Sequence, residues 1–203
     1  MLKSPTRVVA RDQIEIYFTE LNRLCSAASV HGLNGQPMTL EAGFDWFAQR
    51  AKSLHTTENS IIFIGNGGSA SIASHQAIDY LKNGGIRAFA LNDSAALTCL
   101  GNDYGYPEVF SKQLQLLSRK GDMLVAISSS GRSMNILKGV EVARARSMSV
   151  VTFSGFDSDN PLRSLGDVNF YIDSDRYGFV ELSHLALIHS ILDICIIENG
   201  HAE

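Results

Sequence analysis

Hydrophobic residues divide the chain into a helical N-terminal part and a longer part in which short apolar runs alternate with helical patterns. Apolar positions recur at helical spacing over Arg11–Ala28 and again over Leu40–Leu54, which predicts two amphipathic helices. The Gly, Asn and Pro content of His31–Pro37 predicts a loop between them. Both helices precede every predicted strand, so they could cap a sheet or offer a helical surface to another subunit.

From Ser60 onward the alternation is typical of βαβ units, and it predicts a parallel sheet with helices on both faces. The expected strands are Ile61–Gly65, Arg87–Leu91, Met123–Ser128, Ser149–Ser154 and Val168–Ile172. The expected helices are Ala70–Asn83, Ala95–Leu100, Pro107–Arg119, Ser133–Arg146 and Val180–Glu198. We therefore predict one α/β domain over residues 1–203, with an N-terminal helical extension of about residues 1–58. Its five-stranded parallel sheet would have the flavodoxin-like order 2-1-3-4-5.

A serine-rich turn, Ser128-Ser129-Ser130-Gly131-Arg132-Ser133, lies between the third predicted strand and the helix that follows it. Backbone N–H groups at a helix start are unpaired and the helix dipole adds positive potential, so an anion, typically phosphate, is the expected ligand. The hydroxyls of Ser128, Ser130 and Ser133 would supply further donors. The alternative is a serine-rich loop in which Ser133 is a plain helix N-cap.

A second turn of small residues follows the first predicted strand, in the stretch IIFIGNGGSA of Ile61–Ala70. It matches the dinucleotide fingerprint G-x-G-x-x-A, and Asp93 after the next strand could serve as the ribose-binding acid. A dinucleotide needs only this one glycine loop, however, whereas here a second anion-binding turn is present. In the order 2-1-3-4-5 both turns flank one crevice, which favours a single compact phosphorylated ligand and no nucleotide cofactor.

Composition narrows the class of protein. A formal charge of −4 gives no reason to expect a nucleic acid or a membrane as a partner. No apolar run approaches the ~20 residues of a membrane span, and the first residues lack the apolar core of a signal peptide. Cys25, Cys99 and Cys195 are far apart and form no C-x-x-C motif, which favours free thiols in a reducing compartment. We expect a cytoplasmic protein.

Four motifs together resemble the sugar isomerase (SIS) domain family, most closely its phosphoheptose isomerase subgroup. They are GNGGS, a helix with H-x-x-x-acid, ND followed later by GND, and ISSSGRS, and the similarity runs from about Ile61 to Glu198. The resemblance implies a homotetramer with active sites at subunit contacts. It also implies aldose–ketose isomerisation of D-sedoheptulose 7-phosphate to D-glycero-D-manno-heptose 7-phosphate. The implied substrate-binding residues are Asn66, Gly67, Gly68, Ser69, Asn92, Asp93, Ser128, Ser129, Ser130, Ser133 and Glu181.

Isomerisation requires a base, an acid and stabilisation of an enediolate. By the same resemblance Asp79 would be the base and His189 the acid. A zinc ion, seen in some members, would be held by four residues, His75, Asp79, Glu181 and His189. From the residues alone, His75 and Asp79 are four apart on one predicted helix and so share a face.

The chain departs from the family pattern at three of these positions. Asp79 stands where the family has Glu, which withdraws the carboxylate by ~1.5 Å. Glu181 replaces a Gln, and the additional negative charge would favour a metal. Ile78 stands where the family usually has a second acid. Asp79 and Ile78 leave open a different class of function, a phosphosugar-binding or regulatory module without catalysis.

Several polar residues have structural alternatives. His184 and His189 both lie in a strongly apolar predicted helix, and His184 is the better candidate for a structural histidine. Asp193 could orient His189 or form a plain salt bridge. Arg132 could approach the phosphate or point to solvent. A nucleotide-binding oxidoreductase is a third hypothesis, which rests only on the G-x-G-x-x-A match.

Overall fold

A computed structural model describes residues 10–197 as one sheet covered by helices, so the predicted end of the last helix at Glu198 lies outside the described residues. Within that range, the strands are β1 (Ser29–Gly32), β2 (Pro37–Met38), β3 (Ile61–Gly65), β4 (Ala88–Ala90), β5 (Met123–Ser128), β6 (Ser149–Gly155) and β7 (Val168–Ile172). The α-helices are α1 (Arg11–Ser26), α2 (Leu40–Thr57), α3 (Gly68–Lys82), α4 (Ser94–Tyr104), α5 (Val109–Leu117), α6 (Met134–Ala145) and α7 (Tyr177–Ser190).

The sheet is mixed and has the strand order β2-β1-β7-β6-β5-β3-β4 among the described residues. The five predicted strands are present and pair in parallel, but β1 and β2 extend the sheet as an antiparallel hairpin beside β7. The prediction of a five-stranded, purely parallel sheet is therefore incomplete. The predicted loop His31–Pro37 is the tip of this hairpin, with Asn34 and Gly35 at positive φ. A four-residue strand is too short for its alternation to stand out in the sequence.

Helices cover both faces of the sheet, as the alternating pattern predicted. Buried side chains of α1, α2, α3 and α7 form one core cluster against one face. Those of α5 and α6 form the second cluster against the other face, with α4 packed at its edge. The strands β3, β5 and β7 are buried at every position, as expected for central parallel strands between two helical layers.

The last helix begins at Tyr177, three residues before its predicted start at Val180. Tyr177–Ile197, which comprises α7 and π-helical turns over Ile191–Ile197, is the one helix of the described residues long and apolar enough to cross a membrane. Its polar residues interrupt the apolar run, which is why no span was expected. Phe179, Val180, Leu187 and Ile188 are buried and pack in the core. We therefore interpret this segment as a core helix of the domain.

Helices α3 and α7 lie side by side and run in the same direction. At their first turns, the side chain of Glu181 fills the space beside Gly68. Eight residues further along both helices, the side chains of Gln76 and His189 are in contact. The hydroxyl of Tyr80 donates to the Ile188 carbonyl at 3.1 Å and joins the two helices again. The parallel pair α3 and α7 thus has Glu181 near its start, and Gln76 and His189 eight residues further along.

Candidate active site

A cavity of about 250 Å³ lies at the carboxyl ends of β3 and β5, where the glycine turn and the serine turn face each other. Its lining residues are Asn66, Gly67, Gly68, Ser69, Ile127, Ser128, Ser129, Ser130, Ser133, Tyr177 and Glu181. Helices α3 and α6 both begin at this cavity. The unpaired N–H groups of two helix starts therefore converge on it, which favours an anionic ligand.

The glycine turn is shaped by close backbone approach. Gly67 is the residue before α3 and has a φ of +54°. A Cβ on Gly65 would overlap the backbone carbonyl of Ser69, an atom that cannot move aside without moving the helix start. Glycine at position 65 thus lets α3 start directly above the end of β3.

Gly65→Ala is therefore expected to destabilise the protein by about 2–3 kcal/mol, because the overlap is with backbone rather than with a flexible side chain. Gly101→Ala in α4 is the matched control, since a Cβ there meets only Val109 Cγ1 at 3.8 Å. Alanine in a helix is favoured over glycine by ~0.5–1 kcal/mol, so this control should be neutral or stabilising. Urea unfolding of both variants measures the difference, and equal stabilities would contradict the explanation.

The serine turn is tight and partly buried. Ser128 Oγ lies 3.4 Å from Ser133 Oγ, and the buried Ser129 Oγ has no hydrogen-bond partner. Gly131 has a φ of +61°, and Asn160 fills the space where a Cβ would stand. The Arg132 guanidinium points away toward two carboxylates, at 2.8 Å from Asp159 and 3.4 Å from Asp157. Donors at the cavity thus come from hydroxyls and backbone, and Arg132 is engaged elsewhere.

A second group of polar residues, His75, Asp79 and His189, lies further along the helix pair, and we call it the cluster. Asp79 Oδ2 is 3.2 Å from His75 Nε2 and 3.5 Å from His189 Nδ1, and it is buried without a hydrogen-bond partner. The two imidazole rings stack with their centroids 5.8 Å apart and an interplanar angle of 5°. The donor atoms of these three residues all lie within 4.8 Å of one another. Two imidazole nitrogens and one carboxylate oxygen without a hydrogen-bond partner are ligand atoms typical of a cation site.

Two further polar residues contact the imidazole of His189. Gln76 is fully buried, and its Nε2 lies 3.1 Å from His189 Nδ1. On the opposite side of the ring, Asp193 Oδ2 lies 3.6 Å from His189 Nε2. The sequence suggested Asp193 as a partner of this ring but gave no sign of Gln76, because a lone glutamine on a helix face carries no recognisable motif.

Some predicted site residues lie outside the cavity and the cluster. Asn92 donates to the Ala70 carbonyl at 2.8 Å, and Asp93 caps α4 by accepting from the Ala96 N–H at 2.9 Å. Neither residue lines the cavity. Glu181 lines the cavity and is not one of the three clustered residues.

The contacts of Asn66 and the position of Tyr177 at the cavity were not anticipated. Asn66 forms a reciprocal amide pair with the buried Asn135, at 2.9 and 2.8 Å, and accepts a hydrogen bond from the Tyr106 hydroxyl at 2.9 Å. Tyr177 lines the cavity opening from the start of α7. These contacts join segments far apart in the chain, so no local sequence pattern could have revealed them.

His184 has a structural environment, in agreement with its sequence interpretation. It is fully buried, its Nε2 lies 3.1 Å from the Ser154 carbonyl, and its ring packs on Phe153. Burial lowers the pKa of His184 to about 4, although the contact with Ser154 opposes that shift. The residue is therefore neutral in the folded protein at neutral pH.

We expect His184 to make the folded state sensitive to acid. Its folded pKa lies below the unfolded value of about 6.5, so the unfolded state binds the additional proton. The contribution is fully present above about pH 6.5 and is lost as the pH falls toward 4, by about 3 kcal/mol. Denaturant unfolding of wild type and His184→Gln between pH 7 and pH 4 measures this. An identical pH dependence in both proteins would contradict the assignment.

Known proteins with similar sequences were compared with the chain. Residues 38–155 match the family model of the SIS domain. The phosphoheptose isomerase of Helicobacter pylori (strain HPAG1) is 39% identical over 151 residues, which cover 70% of this chain and 78% of that protein. The chain belongs to the phosphoheptose isomerase branch of the SIS domain family.

Solved structures of SIS-domain phosphoheptose isomerases agree with this membership. The enzyme from Neisseria gonorrhoeae superposes with a TM-score of 0.76 at 31% identity, covering 90% of this chain and 97% of that chain. The enzyme from Francisella tularensis superposes with a TM-score of 0.78 at 27% identity, covering 95% and 100%. The resemblance noted in the sequence motifs is thus confirmed over nearly the whole length.

Proposed function

We propose that this SIS-domain protein isomerises D-sedoheptulose 7-phosphate to D-glycero-D-manno-heptose 7-phosphate by proton transfer through an enediolate. One observation carries the proposal: the parallel pair α3 and α7 joins an anion-binding cavity to a buried carboxylate flanked by imidazoles. The similar enzymes of Helicobacter pylori, Neisseria gonorrhoeae and Francisella tularensis are phosphoheptose isomerases, which supports the same substrate class.

The phosphate would bind at the starts of α3 and α6. Both helix dipoles favour negative charge at this point, and the hydroxyls of Ser128, Ser129, Ser130 and Ser133 would complete the donors. The unpartnered hydroxyl of Ser129 is available to donate to a ligand. In this arrangement Glu181 is available to accept hydrogen bonds from sugar hydroxyls. Asn66 Oδ1 already accepts from Asn135 and Tyr106, so Asn66 would contribute the remaining N–H of its amide as a donor. We extend a role in sugar binding to Asn92 and Asp93 only by resemblance.

Asp79 and His189 would carry out the proton transfer. The unpartnered Oδ2 of Asp79 would remove the proton from the carbon next to the carbonyl and return it to the neighbouring carbon. His189 would act as the acid at the sugar oxygen, which becomes negatively charged in the enediolate. When no metal ion is bound to it, a carboxylate without hydrogen bonds is a suitable base because no partner competes for its lone pairs.

The same three residues fit a zinc ion. His75, Asp79 and His189 would hold it, as two nitrogen ligands and one oxygen ligand, and Asp79 Oδ2 is the orphan atom that such an ion would satisfy. When bound, zinc would act as a Lewis acid that polarises the sugar carbonyl. We retain Glu181 as a possible fourth ligand only by resemblance, because its side chain lies at Gly68, at the other end of the helix pair.

We further propose a homotetramer in which active sites form between subunits. Within one chain, the cavity and the cluster are eight helical residues apart, a separation of ~12 Å along α3 and α7. Beside the cluster, α3 exposes the apolar side chains of Ile78 and Leu81, and α1 exposes Ile14 and Phe18. A second copy covering these faces would bring its own cluster toward the first copy's cavity.

We propose one SIS domain over residues 1–203, with an N-terminal extension of about residues 1–58 that includes α1, α2 and the β1–β2 hairpin. The protein would act in the cytoplasm on a small sugar phosphate and would need no nucleotide cofactor.

A coupled isomerase assay with D-sedoheptulose 7-phosphate tests the function, with and without added zinc. We expect turnover by the wild-type protein. Calorimetric binding of the sugar phosphate without turnover in either condition would instead favour the non-catalytic module, for which the shortened Asp79 is the motivating feature.

A further inference from the structure

Gln76 is an unusual residue for its position in the helix pair. It is fully buried between α3 and α7, and its neighbours on α3 include the core residues Ala73, Ala77 and Tyr80. Within residues 10–197 its Oε1 has no hydrogen-bond partner, and its Nε2 has one, the His189 ring. Burying an amide costs free energy that leucine or methionine of similar size would avoid. The amide, unlike an apolar side chain, can hydrogen-bond to the His189 ring.

That contact determines the protonation pattern of the ring. An amide N–H can only donate, so a hydrogen bond from Gln76 Nε2 requires His189 Nδ1 to accept and favours a ring proton on Nε2. Asp193 Oδ2 lies on the Nε2 side at 3.6 Å, where it favours the same tautomer. Because His75 stacks on the ring face, the plane of the ring is held as well. Asp79 Oδ2 lies 3.5 Å from the same Nδ1, so the Gln76 donor would keep a proton off the nitrogen that faces this carboxylate.

We infer that Gln76 is a positioning residue, whose buried amide holds the His189 imidazole in its Nε2–H tautomer with Nδ1 facing Asp79. The inference deepens the proposed function and rests on it, since it gives a reaction role to the orientation of His189. Gln76 itself touches neither the substrate cavity nor the exposed side of the cluster.

Gln76→Leu removes the amide and keeps an apolar side chain of similar volume, and Gln76→Met is a second variant in case the first folds poorly. Tyr80→Phe is the matched control. It removes a buried hydrogen bond between the same two helices, from the Tyr80 hydroxyl to the Ile188 carbonyl, without touching the ring.

The first readout needs no substrate. Nitrogen-15 NMR of the imidazoles is recorded on the full chain after treatment with a chelator. We expect the His189 signals of wild type and Tyr80→Phe to show the Nε2–H tautomer, and those of the Gln76 variants to show a mixture. An unchanged His189 spectrum in the Gln76 variants would overturn the inference, as would the same change in Tyr80→Phe.

The second readout is kinetic. We expect kcat to fall roughly tenfold in Gln76→Leu, with KM changed by less than about twofold, and Tyr80→Phe to keep the wild-type kcat. Equal losses of kcat in both would overturn the inference. If wild type itself proves inactive, the proposed function fails, while the NMR comparison still decides whether Gln76 holds the ring.

Discussion

Asp79→Asn is expected to lower kcat for D-sedoheptulose 7-phosphate about 10³-fold, with the folded state retained. The amide has the size of the carboxylate but cannot accept the carbon-bound proton, and general base catalysis contributes ~10²–10⁴-fold. Among the described residues the buried Oδ2 of Asp79 has no hydrogen-bond partner and lies close only to the imidazoles of His75 and His189, which an amide of the same size can also contact. Steady-state kinetics and thermal unfolding of the purified variant measure the two effects separately.

Asp79→Glu is the matched control for this prediction. Glutamate restores the residue that the family has at this position and extends the carboxylate by ~1.5 Å. We expect kcat of this variant to stay within about tenfold of wild type, because the catalytic group is kept and only its reach changes. Wild-type kcat in Asp79→Asn would contradict the role of Asp79 as the base, whatever the glutamate variant does.

Two inactive variants are expected to restore activity when they are combined in one oligomer. Ser130→Asp places a carboxylate in the cavity, where it opposes the substrate phosphate. Asp79→Asn removes the base. If the cavity of one subunit works with the cluster of another, a mixed pair has one site with both parts intact. An isolated mixed pair should therefore keep roughly half of wild-type activity, since one of its two sites is intact.

Co-expression of the two variants with different affinity tags allows the mixed oligomer to be isolated and assayed. The control is wild type mixed with the double variant Ser130→Asp and Asp79→Asn, whose mixed pairs contain no intact site. Sites contained within one chain would reverse the two results: the variants would not complement each other, and the wild-type chain would stay active in the control. That outcome would contradict the proposed placement of sites between subunits.

The sequence predicted those parts of the fold that depend on local periodicity. Strands such as Met123–Ser128 and Val168–Ile172 were predicted to the residue, because a continuous buried run bounded by turn residues has few alternatives. The hairpin β1–β2 was missed because Ser29–Gly32 is short and pairs with β7, some 140 residues later in the chain. Strand pairing at such a separation leaves no local pattern.

The candidate site was predictable to a similar degree. The two turns, Asn66–Ser69 and Ser128–Ser133, could be assigned to one crevice because the carboxyl ends of adjacent parallel strands meet at one edge of the sheet. The contact between Gln76 and His189 could not, since it depends on how α3 and α7 align side by side. For the same reason the sequence gave no sign that Glu181 lies beside Gly68 while His189 lies with Asp79.

The most direct test is to run the wild-type reaction in deuterium oxide and to follow the sugar by NMR. An enediolate formed by Asp79 exposes the removed proton to exchange with solvent, so we predict deuterium at the carbon next to the carbonyl of the product. Asp79→Asn should show neither turnover nor exchange. Conversion without any deuterium, or bound sugar phosphate that neither reacts nor exchanges with or without zinc, would contradict the account.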